Sequence, residues 1–384
     1  MNTQRWRKYG RGIVVAGTTV FMLGGAATAE QSVRPIMHQV LDAVAYLLPL
    51  SMMEKSRLSD LDQDLVATHV ERLQSSASTL ASHAQRRDPE FAFLVRSFAH
   101  AVKEVQYAFE IDFSVHSHYA LLDLTQNCVA CHSRLPSDGA PPFGERLMAR
   151  MDVDRLDRHD VAQLYIATRQ FERGLKELED ILLDNELSAI DIDIDGTLVR
   201  YLSINIFVKQ DVERPLTTLD RFLRRDDLPY YLRRHVAVWQ RSMRELKGMV
   251  GVEPSLAVAR MLFDAGSTLA RLPVGREALI YDLVAASLLR RRLEAIDIHE
   301  GEEIAEAYLM LGVITLRSLE VNVAVPQAEF LLASAIQAAP FTEPAKDAYV
   351  LLEEIAYVNI AGIGDLSHPL LDMKSLRELV DDYQ

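Results

Sequence analysis

The chain has 384 residues and a formal charge of −14, with 49% hydrophobic and 25% charged residues. These are globular proportions with room for two or three domains. The acidic balance, with no basic run longer than three residues beyond the N-terminal segment, excludes a nucleic-acid-binding face, and only 14 prolines and 17 glycines favour long helices over strands and turns.

Arg5, Arg7, Lys8 and Arg11 precede an apolar run from Ile13 to Leu23, and Ala27-Thr28-Ala29 then fits the small-x-small rule for signal peptidase. Residues 1–29 read as a signal peptide, which predicts a periplasmic mature protein beginning at Glu30. A retained membrane anchor is the other reading, and only then would the chain engage a membrane. The apolar run is short against the roughly 20 residues that a span needs. Cleavage discards four positive charges and no acids, which takes −14 to about −18 and favours a partner with a basic surface.

Four amphipathic helices are predicted next. The first runs from about Pro35 to Leu48 with Met37, Val40, Leu41, Val44 and Leu48 on one stripe, and Pro49 ends it. The second begins near Ser59, an N-cap followed by acids, and carries Leu61, Leu65, Val66, Val70, Leu73, Ala77, Leu80 and Ala84. The third begins near Asp88-Pro89 with Phe91, Leu94, Val95, Phe98, Ala101, Val102, Val105 and Phe109. The fourth runs from about Ser114 through Cys131. Short connections make an antiparallel four-helix bundle over residues 30–135 the economical arrangement. Proline and glycine from Leu135 to Gly144 then mark 136–157 as a linker.

Residues 158–384 are helical again, in pairs. One unit gives Val161, Ala162 and Tyr165, then Phe171, Gly174, Leu175, Leu178 and Ile181. A second gives Leu202, Ser203 and Ile206, then Val212, Pro215, Leu216, Leu219 and Phe222. A late one gives Tyr308, Leu311 and Gly312, then Ala328, Leu332, Ala335 and Pro340. These offsets of small, bulky and terminal proline residues resemble a degenerate tetratricopeptide repeat. The first two units lie 41 residues apart, against roughly 34 in that repeat. Residues between about 230 and 300 fit no repeat. A lone hairpin must bury its apolar face on a neighbour, so an α-solenoid is expected. The whole is all-α: a four-helix bundle followed by an α-solenoid of helix pairs.

The chemistry sits at Cys128-Val129-Ala130-Cys131-His132, which contains both cysteines of the chain. Cys-x-x-Cys-His is the attachment signature of c-type haem. Each thiol bonds one haem vinyl group and the histidine binds iron; on a helix, positions i, i+3 and i+4 share one side. Three other readings are weaker. A disulfide between i and i+3 on a helix is awkward and closes a tiny loop. A redox pair of the thioredoxin type belongs at a helix N-terminus after a strand, and zinc lacks further cysteine ligands.

A motif at the end of a fourth helix resembles cytochrome c′ and its low-spin relatives such as cytochrome c556. The resemblance rests on the motif and the helix order, and covers about a quarter of the chain. It implies one covalent haem c held by Cys128 and Cys131, with His132 as axial iron ligand. It also implies that a side chain of the first helix faces the other side of the iron. Met37, on the core stripe, either packs there or ligates iron, and His38 beside it is the alternative ligand. Arg34 and Arg134 hint at the family's arginine-rich haem surroundings.

Other candidates are weaker. His69, His83 and His100 read as solvated, and His116 and His118 begin the fourth helix, far from the motif. Met52 and Met53 cap the bundle, while Met148 and Met151 are remote candidates that would have to fold back from the linker. The alternating acids Asp191, Asp193 and Asp195 lack the glycine and glutamate of a calcium loop and read as a solvated loop. With no nucleophilic triad, phosphate loop or carboxylate cluster, no enzyme activity is expected. The expected function is electron transfer by an exported monohaem cytochrome whose repeat half docks a redox partner or envelope complex. Haem-based gas binding or sensing, and an envelope scaffold with a structural haem, are the alternatives.

Overall fold

The computed structural model describes residues 33–51, 63–84, 89–111, 115–134, 142–150, 153–189, 194–270, 276–295, 301–317, 321–358 and 373–381. The signal segment, Ser59, Met52, Met53, Asp88, the 135–141 stretch, Met151, Asp191 and Asp193 lie outside them. Among the described residues there are sixteen α-helices and no strand, as expected of an all-α chain. None of these helices is long and apolar enough to cross a membrane.

Helices α1 (Val33–Ser51), α2 (Gln63–Ala84), α3 (Pro89–Ile111) and α4 (Val115–Arg134) pack each on the next, and α4 returns to α1. Residues of the three expected stripes form the core, Val40, Val44 and Leu48, Val66, Val70 and Leu73, and Val95, Phe98 and Val102, joined by Leu121 and Leu124 of α4; Leu65 is exposed, and Leu61 lies outside the described residues. Each large aliphatic side chain so buried stabilises the bundle by about 1.5–3 kcal/mol. An Arg72–Asp42 ion pair at 3.1 Å ties α2 to α1 from the rim.

Two expectations about the bundle need correction. Pro49 does not end the first helix, which runs to Ser51 with Pro49 inside it. Proline there forgoes the N–H bond to the carbonyl four residues back and crowds it; the helix continues only two residues past Pro49, to Ser51, whose hydroxyl donates to the Leu48 carbonyl at 2.7 Å. His69 is not solvated. It is buried, and its ring stacks on Tyr46 of α1 at 4.2 Å, because its position borders Val66 and Leu73 one turn away on the apolar stripe. His100 is exposed and His83 partly so.

Within the stretch read as a linker stands α5 (Pro142–Arg150), begun by a proline that suits a first helical position. It packs on α1 and puts Leu147 and Met148 into the bundle core. A 3-10 turn, Val153–Arg155, leads on.

The second half stacks helices against their neighbours: α6 (Arg158–Ala167), α7 (Phe171–Leu183), α8 (Ile194–Ile204), α9 (Glu213–Phe222), α10 (Tyr230–Leu246), α11 (Leu256–Leu269), α12 (Leu279–Ala295), α13 (Gly301–Arg317), α14 (Val321–Ala338), α15 (Glu343–Val358) and α16 (Met373–Glu378). The paired pattern is clearest in α6/α7, α11/α12 and α13/α14. In the first pair, a Cβ on Gly174 would stand 2.6 Å from the Ile166 side chain, so only glycine admits this approach. Tyr201, fully buried, joins the first two pairs by donating to Glu179 at 2.7 Å and accepting from the Thr218 hydroxyl at 2.9 Å. A π-turn, Asn205–Lys209, extends α8. Asp195 corrects the solvated-loop reading: it lies in the first turn of α8 and pairs with Arg276 at 2.6 Å.

The two halves share packing. Val161 and Leu164 of α6 belong to the bundle core, while Val129 of α4 packs on the solenoid core. Buried Gln163 of α6 donates to the Leu122 carbonyl at 2.9 Å and the Thr125 hydroxyl at 2.7 Å. At the far end of the stack, α14 reaches α3, where Phe330 lies 5.5 Å from Phe93 and beneath the Arg96 guanidinium. The bundle therefore touches both an early and a late hairpin.

Candidate haem-attachment site

Cys128, Cys131 and His132 occupy the last turns of α4, one helical turn apart on a shared side. Cys131 packs against the bundle core and Val129 against the solenoid core, so the motif lies on the seam between them. Neither cysteine is in a disulfide, and both are partly exposed. The Cys128 thiol donates to the Leu124 carbonyl at 3.7 Å. Burial of its sulfur, with Cys131 nearby, pushes the thiol up to about 12. Such a cysteine stays protonated at neutral pH. That is the reverse of the depressed pKa of a thiol-redox or nucleophilic cysteine.

The imidazole of His132 is fixed from outside the bundle. Its Nδ1–H donates to the carbonyl of Ala167, the last residue of α6, at 2.7 Å. Nε2 is thereby left without a proton, the form in which a histidine ligates. Desolvation, then the Arg169 guanidinium, hold the imidazole down to about 4 against the opposing pull of the Ala167 bond. Arg169 follows in the turn between α6 and α7 with φ of 60°, a left-handed conformation uncommon for a residue with a side chain. Gly144 of α5 backs the same turn: a Cβ there would meet Thr168 Cβ at 2.8 Å and the Thr168 carbonyl at 3.0 Å.

The other candidates lie as follows. Ser51 at the end of α1 meets His118 at the start of α4, so the two helices are antiparallel and the first turns of α1 share one end of the bundle with the motif. Met37 is partly buried against the bundle core, and His38 is exposed. Arg34 is exposed at the same end. Met148 is brought into the core by α5, although its sequence position marked it only as a remote candidate. Its signal was the Pro142 helix start followed by the apolar pair Leu147-Met148. Ala167, Arg169 and Gly144 left no sequence signal, because they reach the motif only through folding. Among the described residues, no three His, Cys, Asp or Glu side chains gather as they would around a bare metal ion.

These residues fit a covalently held haem. Two thiols stand one turn apart, that of Cys128 protonated at neutral pH, and a neutral imidazole beside them has its Nδ1 occupied and its Nε2 open. No protein-family model matches the chain, and no curated protein or solved structure matches it.

Proposed function

We propose that the chain is an exported monohaem c-type cytochrome that carries electrons. The observation that supports this most is the His132 imidazole beside Cys128 and Cys131, neutral and tied through Nδ1 to Ala167. Cys128 and Cys131 would each add across one vinyl group, sulfur to one carbon and the thiol hydrogen to its neighbour, and His132 Nε2 would hold the iron. Haem bound there would supply one-electron exchange at its iron. The solenoid would position the bundle against an acceptor or donor protein, and the negative charge of the chain would steer a basic surface toward it. The setting we infer is the periplasm, reached by means of residues 1–29.

The test is direct. Purified protein should retain haem on a denaturing gel, and Cys128→Ser with Cys131→Ser should abolish the stain. Haem that stays covalently bound to the double variant overturns the assignment. Gas binding is a second reading, favoured by the packing of Met37 on the apolar core, as a blocking side chain would pack. Rapid carbon monoxide binding by the reduced, unmutated protein would put this reading first.

A further inference from the structure

The α6–α7 corner, Ala167 to Gln170, belongs to the second half of the chain yet meets the motif through Ala167 and Arg169 and is backed by Gly144 of α5. The Ala167 carbonyl accepts from His132 Nδ1 at 2.7 Å. The Arg169 guanidinium is half-buried and near enough to Cys131 and His132 for its charge to act on both. Thr168 and Gln170 are buried against Gly144, with no room for a Cβ. The corner is also rigid. Thr168 Oγ1 donates to the Leu164 carbonyl at 2.8 Å, Gln170 Nε2 donates to Thr168 Oγ1 at 2.9 Å, and the Gln170 N–H closes the turn on Tyr165 at 2.7 Å. A carbonyl so held is a fixed acceptor.

We propose that this corner is the proximal clamp of the haem site, so that the solenoid half sets the electronic state of the axial ligand as well as docking partners. The inference rests on the haem reading above. A histidine that donates from Nδ1 to a fixed carbonyl becomes a more basic ligand at Nε2, which favours ferric over ferrous iron and lowers the potential. A guanidinium close by works the other way, because positive charge disfavours the oxidised centre. Ala167 and Arg169 are thus positioning residues with opposite effects. A partner pressing on α6 or α7 would shift the corner and reach the iron through one hydrogen bond.

Two full-chain variants test this. Gly144→Ala forces a Cβ against Thr168 and displaces the corner. Arg169→Gly suits the left-handed φ and removes only the side chain. Covalent haem is confirmed first by intact mass. NMR of the reduced protein then follows solvent exchange of the His132 Nδ1 proton, and a redox titration gives the midpoint potential. Gly144→Ala should speed that exchange about tenfold or more, the scale of one hydrogen bond's net free energy, and raise the potential. Arg169→Gly should lower the potential and leave the exchange slow. Potentials that stay put in both variants, or that move the same way, overturn the clamp while haem attachment stands. If Gly144→Ala does not fold, an unmoved potential in Arg169→Gly overturns it alone. Unmutated protein without covalent haem overturns both readings.

Discussion

Ser51 and His118 meet across the first and fourth helices. The Ser51 hydroxyl donates to Leu48 at 2.7 Å and so accepts from His118 Nδ1 at 3.2 Å. This contact sets the register of α1 on α4. Met37 precedes Ser51 by fourteen residues, and His132 follows His118 by fourteen. At the rise of an α-helix both lie about 21 Å from the contact along antiparallel helices. Met37 and His132 therefore stand at one level of the bundle.

That level is the basis for a prediction about the sixth ligand. We expect a low-spin ferrous haem with His132 and Met37 on the iron. Met37→Ala should turn the optical spectrum high-spin and admit carbon monoxide, with helical circular dichroism unchanged. A low-spin spectrum that survives Met37→Ala would give the position to another group, and His38→Ala would be tested next.

The seam between the halves is also testable. Gln163 is buried and gives its amide to Leu122 and Thr125 of α4. Gln163→Ala deprives buried acceptors of their donor and should cost about 1–3 kcal/mol. Because Val161 and Leu164 share the bundle core, the loss should appear in haem-band and far-ultraviolet unfolding curves together. A shift confined to one of the two signals would show that the halves unfold separately.

Arg225 offers a sharper stability test. Its side chain is only 2% exposed. It donates to the carbonyls of Leu182 at 3.1 Å, Asp184 at 2.5 Å and Leu187, and to both oxygens of Asp227 at 3.0 and 2.8 Å. The same guanidinium holds the Asp227 carboxyl down to about 2. One side chain thus closes the end of α7 onto the turn before α10. Arg225→Ala should destabilise the chain by roughly 3 kcal/mol or more, and Arg225→Lys should not restore it, because an ammonium lacks the planar fork. Urea midpoints near that of the unmutated protein would show that the carbonyls find other partners.

Asp282 predicts a pH dependence. It is buried, and desolvation raises its carboxyl to about 6 despite the Arg317 ion pair at 3.0 Å. The folded chain thus holds a proton that the unfolded chain releases near 3.8. The stabilisation this gives is complete below that lower value and is lost as pH rises through about 6. Asp282→Asn cannot titrate. Between pH 4 and 7 the unfolding free energy of the unmutated protein should fall relative to the variant by something on the order of 3 kcal/mol. A difference that stays flat across that range would count against a buried, perturbed carboxyl.

The sequence by itself determined the helices, because apolar residues recurring every three to four positions can bury one face only as a helix. It also determined the grouping of Cys128, Cys131 and His132, since their spacing alone puts them on one side of α4. It did not show that Pro49 lies within a helix, that Tyr46 covers His69, or that α5 carries Met148 into the core. Each of these depends on a neighbour distant in the chain. The clearest division is at His132 itself. The motif names the imidazole, but its tautomer is decided by the carbonyl of Ala167, thirty-five residues later. A backbone carbonyl has no residue type to read. Only packing α6 against α4 brings that oxygen within hydrogen-bonding distance of the ring.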